Sequence, residues 1–117
     1  MRRGEIWTAA GGSGNAGKPR PVVIVQDDMF DATGSVTICA FTTTGTEAPL
    51  FRIPVEASEG NGLASPGRLI VDKVTTVPKG KLGRRIGRLD EEDVVRLNRA
   101  MLVFLGLAVS PRSRGKG

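Results

Sequence analysis

The chain has 117 residues, a length that builds one domain around a single core. It contains no histidine and one cysteine, which excludes imidazole acid–base chemistry, an internal disulfide and a structural zinc site built on His and Cys ligands. The net charge is +5, which favours an anionic partner, although three of the 17 cationic residues (Arg112, Arg114 and Lys116) stand in an acid-free tail.

Period-two and β-branched patterning fills the first two-thirds of the chain. Strands are expected at 5–8, 21–26, 36–42, 51–55, 68–74 and 82–86, separated by turn clusters such as Asp31-Ala32-Thr33-Gly34, Glu59-Gly60-Asn61-Gly62 and Ser65-Pro66-Gly67. The opening residues run straight into the first strand with no apolar leader, and no apolar run approaches membrane-spanning length, so a cytoplasmic protein is expected. A glycine-rich loop from Gly11 to Gly17 follows, and then Lys18-Pro19-Arg20-Pro21-Val22. Proline fixes its own φ and drives the preceding residue to extended geometry, so Arg20 is held at the mouth of a strand. A planar, permanently charged guanidinium on such a mount suits a phosphate; a solvated arginine at a strand start is the alternative. Cys39, within an apolar strand, is expected to be a small buried residue in a reducing compartment.

The basic cluster Lys79, Lys81, Arg84, Arg85 and Arg88 precedes four consecutive acids, Asp90 to Asp93. Asp90 is a good N-cap, and acids suit the first turn of a helix. A helix is expected from about Asp90 to Gly106, with Val94, Leu97, Met101, Phe104, Leu105 and Ala108 on one face and Val95 and Leu102 on a second stripe. That second stripe either sinks into the same core or meets another subunit. The domain is expected to span 1–108 as a mostly β structure, a β-barrel plus a C-terminal helix, with a basic disordered tail at 109–117.

Several pieces fall in one order: Arg2-Arg3-Gly4-Glu5-Ile6-Trp7, Arg20-Pro21-Val22-Val23, Cys39-Ala40-Phe41-Thr42-Thr43, Val71-Asp72-Lys73-Val74, Leu82-Gly83-Arg84-Arg85-Ile86, then the acid-capped helix. In this order and spacing the chain resembles the MazF/PemK family of toxin endoribonucleases of type II toxin–antitoxin systems. The resemblance implies an SH3-like barrel of the CcdB/PemK type, a homodimer, cleavage of single-stranded RNA without metal or other cofactor, and an acidic MazE-like antitoxin as partner. The family's catalytic arginine falls on Arg20 and its catalytic threonine on Thr42, and an acidic residue of its late strand falls on Asp72. One stretch departs from the family. Counting back from Arg20 puts Asn15 where a loop glutamate often stands and Gly14 where a serine or histidine stands, which implies altered RNA specificity.

RNA carries its own nucleophile, the 2′-OH, so an enzyme need only align it with the phosphorus and stabilise the added charge on the phosphoryl oxygens. Arg20 suits that stabilising role, because its guanidinium donates two parallel hydrogen bonds and stays protonated. Thr42 can align the scissile phosphate. Asp72 either accepts a proton, orients Arg20, or forms a structural salt bridge. Asn15, Lys18, Thr43, Thr44 and Lys73 are the candidate RNA contacts, with Lys73 on the strand face opposite Asp72. Phe41 and Phe104 are read as core, Trp7 as buried, and Phe30 as able to stack a base. A CcdB-like toxin without enzymatic activity, or a nucleic-acid-binding barrel that does not cleave, are the competing readings.

Overall fold

The computed structural model describes residues 1–10, 19–43 and 51–108. Among these residues seven strands precede one α-helix: β1 (Glu5–Ala9), β2 (Arg20–Ile24), β3 (Ser35–Thr42), β4 (Arg52–Val55), β5 (Gly67–Ile70), β6 (Thr75–Pro78), β7 (Leu82–Arg88) and α1 (Glu91–Phe104). All described pairings are antiparallel, in the order β4-β5-β3-β2-β1-β7, with β6 also on β3.

β3 organises the sheet. One edge pairs with β2; the other carries β5 at one end (Phe41 opposite Leu69, Thr42 opposite Arg68) and β6 at the other (Ile38 opposite Thr75, Ser35 opposite Pro78). The strand expected at 68–74 therefore ends at Ile70, and β6 beyond it is an addition to the sequence reading. A 3-10 turn, Val71–Lys73, separates them and absorbs the jump in register along β3. The break is stabilised on both sides. Val71 is buried and its N–H donates to the Phe51 carbonyl at 2.9 Å, while Asp72 turns outward to Arg52.

The sheet closes on itself through the connection between β4 and β5. Arg88 N–H, on β7, donates to the Gly60 carbonyl at 3.0 Å, so the two ends of the strand order meet. Gly62 and Gly87 permit that approach: a Cβ on Gly62, at φ +72°, would stand 2.0 Å from the Ile86 carbonyl oxygen, and one on Gly87 would stand 2.3 Å from Asn61. Asn61, 4% exposed, braces the connection, with its Oδ1 accepting from the N–H groups of Ser58 and Leu63 and its Nδ2 donating to the Glu56 carbonyl. The result is a small barrel whose alternating strands bury apolar side chains on both faces. Ile6, Val23, Cys39 and Leu69 lie beneath α1 with Leu97 and Ala100, and Val22, Ile24, Val36 and Leu82 fill the second cluster.

Asp90 caps α1 as its sequence suggests, its carboxylate accepting from Asp93 N–H at 2.8 Å. The helix leaves through Gly106 at φ +79°, with Leu107 N–H on the Leu102 carbonyl. Phe41 is buried, but Phe104 is 47% exposed and packs at the rim against Phe51, ring centres 6.2 Å apart, so only one of the two belongs to the core. Among the described residues no helix is long and apolar enough to cross a membrane. The tail at 109–117 lies outside the described residues.

Candidate RNA-cleavage groove

A groove of about 640 Å³ opens where β1, β2, β3 and β7 meet the connection between β4 and β5. Its floor is the end of β3, Phe41 to Thr43. Arg20 at the start of β2 lines the groove, as do the run Gly62 to Gly67 and Arg84 and Ile86 of β7. A smaller hollow of about 190 Å³ adjoins it, sharing Thr42, Thr43, Pro66 and Gly67 and adding Glu56 and Arg68.

Arg20 sits opposite Ala9 across the β1–β2 ladder, so pairing fixes its backbone while its side chain stays exposed. Its guanidinium has no ion pair or hydrogen bond to a described residue. Thr42 is the last residue of β3, opposite Arg68, and Thr43 follows it at the groove floor. The structure thus brings together Arg20, Thr42 and Thr43. Among the described lining residues the charged side chains are Arg20 and Arg84, with hydroxyls from Thr8, Thr42, Thr43 and Ser65 around them. Two cations among hydroxyls, with no carboxylate in the described lining, suit a phosphodiester.

Asp72 is elsewhere. It forms a bidentate pair with Arg52 (Nε–Oδ1 3.0 Å, Nη2–Oδ2 3.3 Å), both side chains mostly buried, and Arg52 also lies over the Phe51 ring at 5.8 Å. Asp72 borders a pocket under α1 with Met101 and Phe104, not the groove. The salt-bridge alternative raised by the sequence is the one its geometry matches. Lys73 is exposed in the same 3-10 turn and does not line the groove either. Asn15, Lys18 and Thr44 lie outside the described residues, as does Gly14. Trp7 is partly buried, its indole N–H donating to Glu5 Oε1 at 3.0 Å, and Phe30 is 58% exposed.

Two features of the groove escaped the sequence reading. Arg84 was visible only as one of five cations in a row, and nothing in that row separates it from Arg85. The structure does: Arg85 pairs with Glu5 at 3.3 Å, whereas Arg84 lines the groove. The wall from Gly62 to Gly67 read only as two turn signals, since it carries no charge. Away from the groove, burial pushes the Cys39 thiol up to about 12, so this cysteine is an inert core group.

The sequence model of the PemK-like, MazF-like toxins of type II toxin–antitoxin systems matches residues 2–105. The chain is 57% identical over 108 residues to a probable endoribonuclease MazF of Mycolicibacterium smegmatis, covering 92% of this chain and 99% of that protein. It is 37% identical over 92 residues to the probable endoribonuclease MazF2 of Mycobacterium tuberculosis, covering 76% and 82%. The structure of the Mycobacterium tuberculosis toxin MazF-mt6 superposes with a TM-score of 0.74 at 28% identity over 89% of this chain and 98% of that one. A mycobacterial endoribonuclease solved in complex with its cognate antitoxin shares the fold, with a TM-score of 0.78 at 23% identity over 94% and 99%. Extent and identity together settle the matter: the chain belongs to the family of PemK-like, MazF-like toxins of type II toxin–antitoxin systems.

Proposed function

We propose that this toxin endoribonuclease cuts single-stranded RNA without a metal ion, by attack of a 2′-OH on the neighbouring phosphorus. The observation that carries the reading is the groove itself, in which two arginines with no ion pair to a described residue and four hydroxyl side chains surround a space free of carboxylates among its described lining. The 2′-oxygen bonds to phosphorus, the bond to the 5′-oxygen breaks, and the products are a 2′,3′-cyclic phosphate and a 5′-OH. The nucleophile gives up its proton to solvent in the open groove, and the leaving oxygen takes one from solvent. Arg20 stabilises the charge that builds on the phosphoryl oxygens, and Thr42 aligns the phosphate. Thr43 contacts the strand at the groove floor. Asn15, Lys18 and Thr44 join it as RNA contacts, Lys18 next to Pro19 and Thr44 next to Thr43 in the chain, and Asp72 supports the fold through Arg52.

The natural setting is the cytoplasm, as a homodimer held in check by an acidic antitoxin. The family supports that inhibitor, as does a structural neighbour solved with its cognate antitoxin. An acidic peptide over the two groove arginines would take the place of RNA phosphates.

The test is incubation of a mixed-sequence RNA with the protein in EDTA, followed by chemical mapping of the ends. Cleavage leaving cyclic phosphate and 5′-OH ends is expected. Intact RNA, or 5′-phosphate ends, overturns the reading and favours a barrel that binds without cutting.

A further inference from the structure

We infer that Arg84 is a second phosphate-binding residue, holding the RNA strand on the side of the groove opposite Arg20. The inference deepens the proposed cleavage function and rests on it. It starts from an irregularity in the ladder. β1 and β7 pair as Glu5–Arg88 and Ile6–Gly87, then Trp7–Arg85, then Ala9–Leu82, so β7 gains an extra residue at two places. Such bulges bend and twist a strand and are common beside functional sites.

Ordinary strand alternation sorts the side chains that follow. Arg84 and Ile86 both line the groove, while Arg85 between them pairs with Glu5. Where the ladder is irregular, Arg84 N–H is taken by the Thr8 hydroxyl at 3.1 Å. Gly83 makes room for that hydroxyl, since a Cβ there would stand 2.5 Å from Thr8 Oγ1. The backbone of Arg84 is therefore pinned, and its guanidinium has no ion pair or hydrogen bond to a described residue. Other arginines of the barrel are spent: Arg52 on Asp72, Arg85 on Glu5, Arg96 on Asp93. A fixed backbone carrying an unspent, bidentate donor into an anion-binding groove is a phosphate clamp.

β2 and β7 flank β1 on either side, so the Arg20 and Arg84 backbones are two strand spacings apart, about 10 Å. Side chains reaching inward from that separation meet different phosphates of one strand. Arg20 takes the scissile phosphate. Arg84 takes a neighbour, where no bond is broken, so it contributes to binding in ground and transition states alike.

The experiment compares wild type, Arg84→Ala and Arg99→Ala in binding a fluorescent mixed-sequence RNA fully 2′-O-methylated, which has no free 2′-OH to react. Arg99 is the control, an exposed helix arginine outside the groove. Arg84→Ala is expected to weaken binding about tenfold and to flatten the dependence of log affinity on log salt by about 0.7, the value of one single-strand phosphate contact. On unmodified RNA it should raise KM with kcat within about threefold of wild type. Arg99→Ala should leave binding and salt slope unchanged, and thermal midpoints should match. Unchanged affinity in Arg84→Ala, or an equal loss in Arg99→Ala, overturns the assignment. So does a fall in kcat at constant KM. Wild-type cleavage of unmodified RNA is measured alongside, so a failure of the cleavage reading shows itself separately from a failure of the Arg84 clamp.

Discussion

At Arg20, rigidity and charge meet. Ladder pairing with Ala9 and the two flanking prolines fix the backbone, while the exposed guanidinium contributes little to the fold. Arg20→Ala should therefore leave the melting temperature within a degree or so and raise the barrier to cleavage by about 3 kcal/mol, a loss of more than a hundredfold in kcat. Arg20→Lys should recover little, since lysine lacks the fork. Asp72 makes the opposite prediction. Replacing it by alanine strands the mostly buried Arg52 and should cost about 2 kcal/mol in urea denaturation, with cleavage per folded molecule unchanged; lost cleavage in a stable Asp72→Ala protein would restore it to the chemistry. Glu5 sets an acid limit. Burial would raise its carboxyl, but hydrogen bonds from Arg2 N–H and the Trp7 indole, with the charge of Arg85, outweigh burial and leave it below its ordinary 4.5. A lowered carboxyl stabilises the fold above its unfolded value and loses that contribution as pH falls through the folded one. Stability should decline as pH drops below about 4.5, and Glu5→Gln should shrink that acid-induced loss. Arg20 stood out in the sequence because its two proline flanks leave a local pattern, and Thr42 stood out through the family resemblance. Arg84 did not, because alternation separates its face from that of Arg85 without saying which face lines a groove.

Among the elements, the same division holds. The expected strands at 5–8, 36–42 and 82–86 appear with ends shifted by a few residues, because alternation reports burial on a sheet face directly. The stretch 68–74 misled because Val71, Val74 and Val77 continue a β-branched pattern through a place where β3 forces a three-residue detour. No local propensity encodes that detour; the register of β3 does. The connection between β4 and β5 shows the converse, a short glycine motif with a long-range purpose. Gly62 holds φ +72° and its α-hydrogen faces the Ile86 carbonyl, so any side chain collides with backbone rather than with a movable group. Gly62→Ala should destabilise the protein by about 3 kcal/mol or more, through strain and an opened barrel seam. Because Gly62 also lines the groove, refolded protein should bind RNA more weakly. A Gly62→Ala protein with wild-type stability would remove the seam from the account of the fold.

For the whole molecule, the open question is the outer face of α1. Leu97 and Ala100 are buried, yet Val95, Leu102, Phe104, Leu105 and Leu107 remain between 43% and 72% exposed. A small domain does not ordinarily leave so much contiguous apolar surface in water. A second copy can cover it by a two-fold interface, in which the same patch meets itself and each chain supplies one groove. The acids of the first helical turn, Glu91, Glu92 and Asp93, lie at the opposite end of α1 from Phe104 and Leu105, so they stand away from the most exposed part of the patch. Burial of these side chains adds roughly 25 cal/mol for each Å² of apolar area covered, enough over a full interface to hold a dimer at micromolar concentration. Leu102→Glu combined with Leu105→Glu places two charges on the patch without touching the buried Leu97 and Ala100. Sedimentation equilibrium should show wild type as a dimer and the double variant as a monomer, with unfolding by urea still cooperative. The monomer should keep its groove arginines and some affinity for RNA. A wild type that sediments as a monomer, or a double variant that stays dimeric, would assign the exposed face of α1 to another partner.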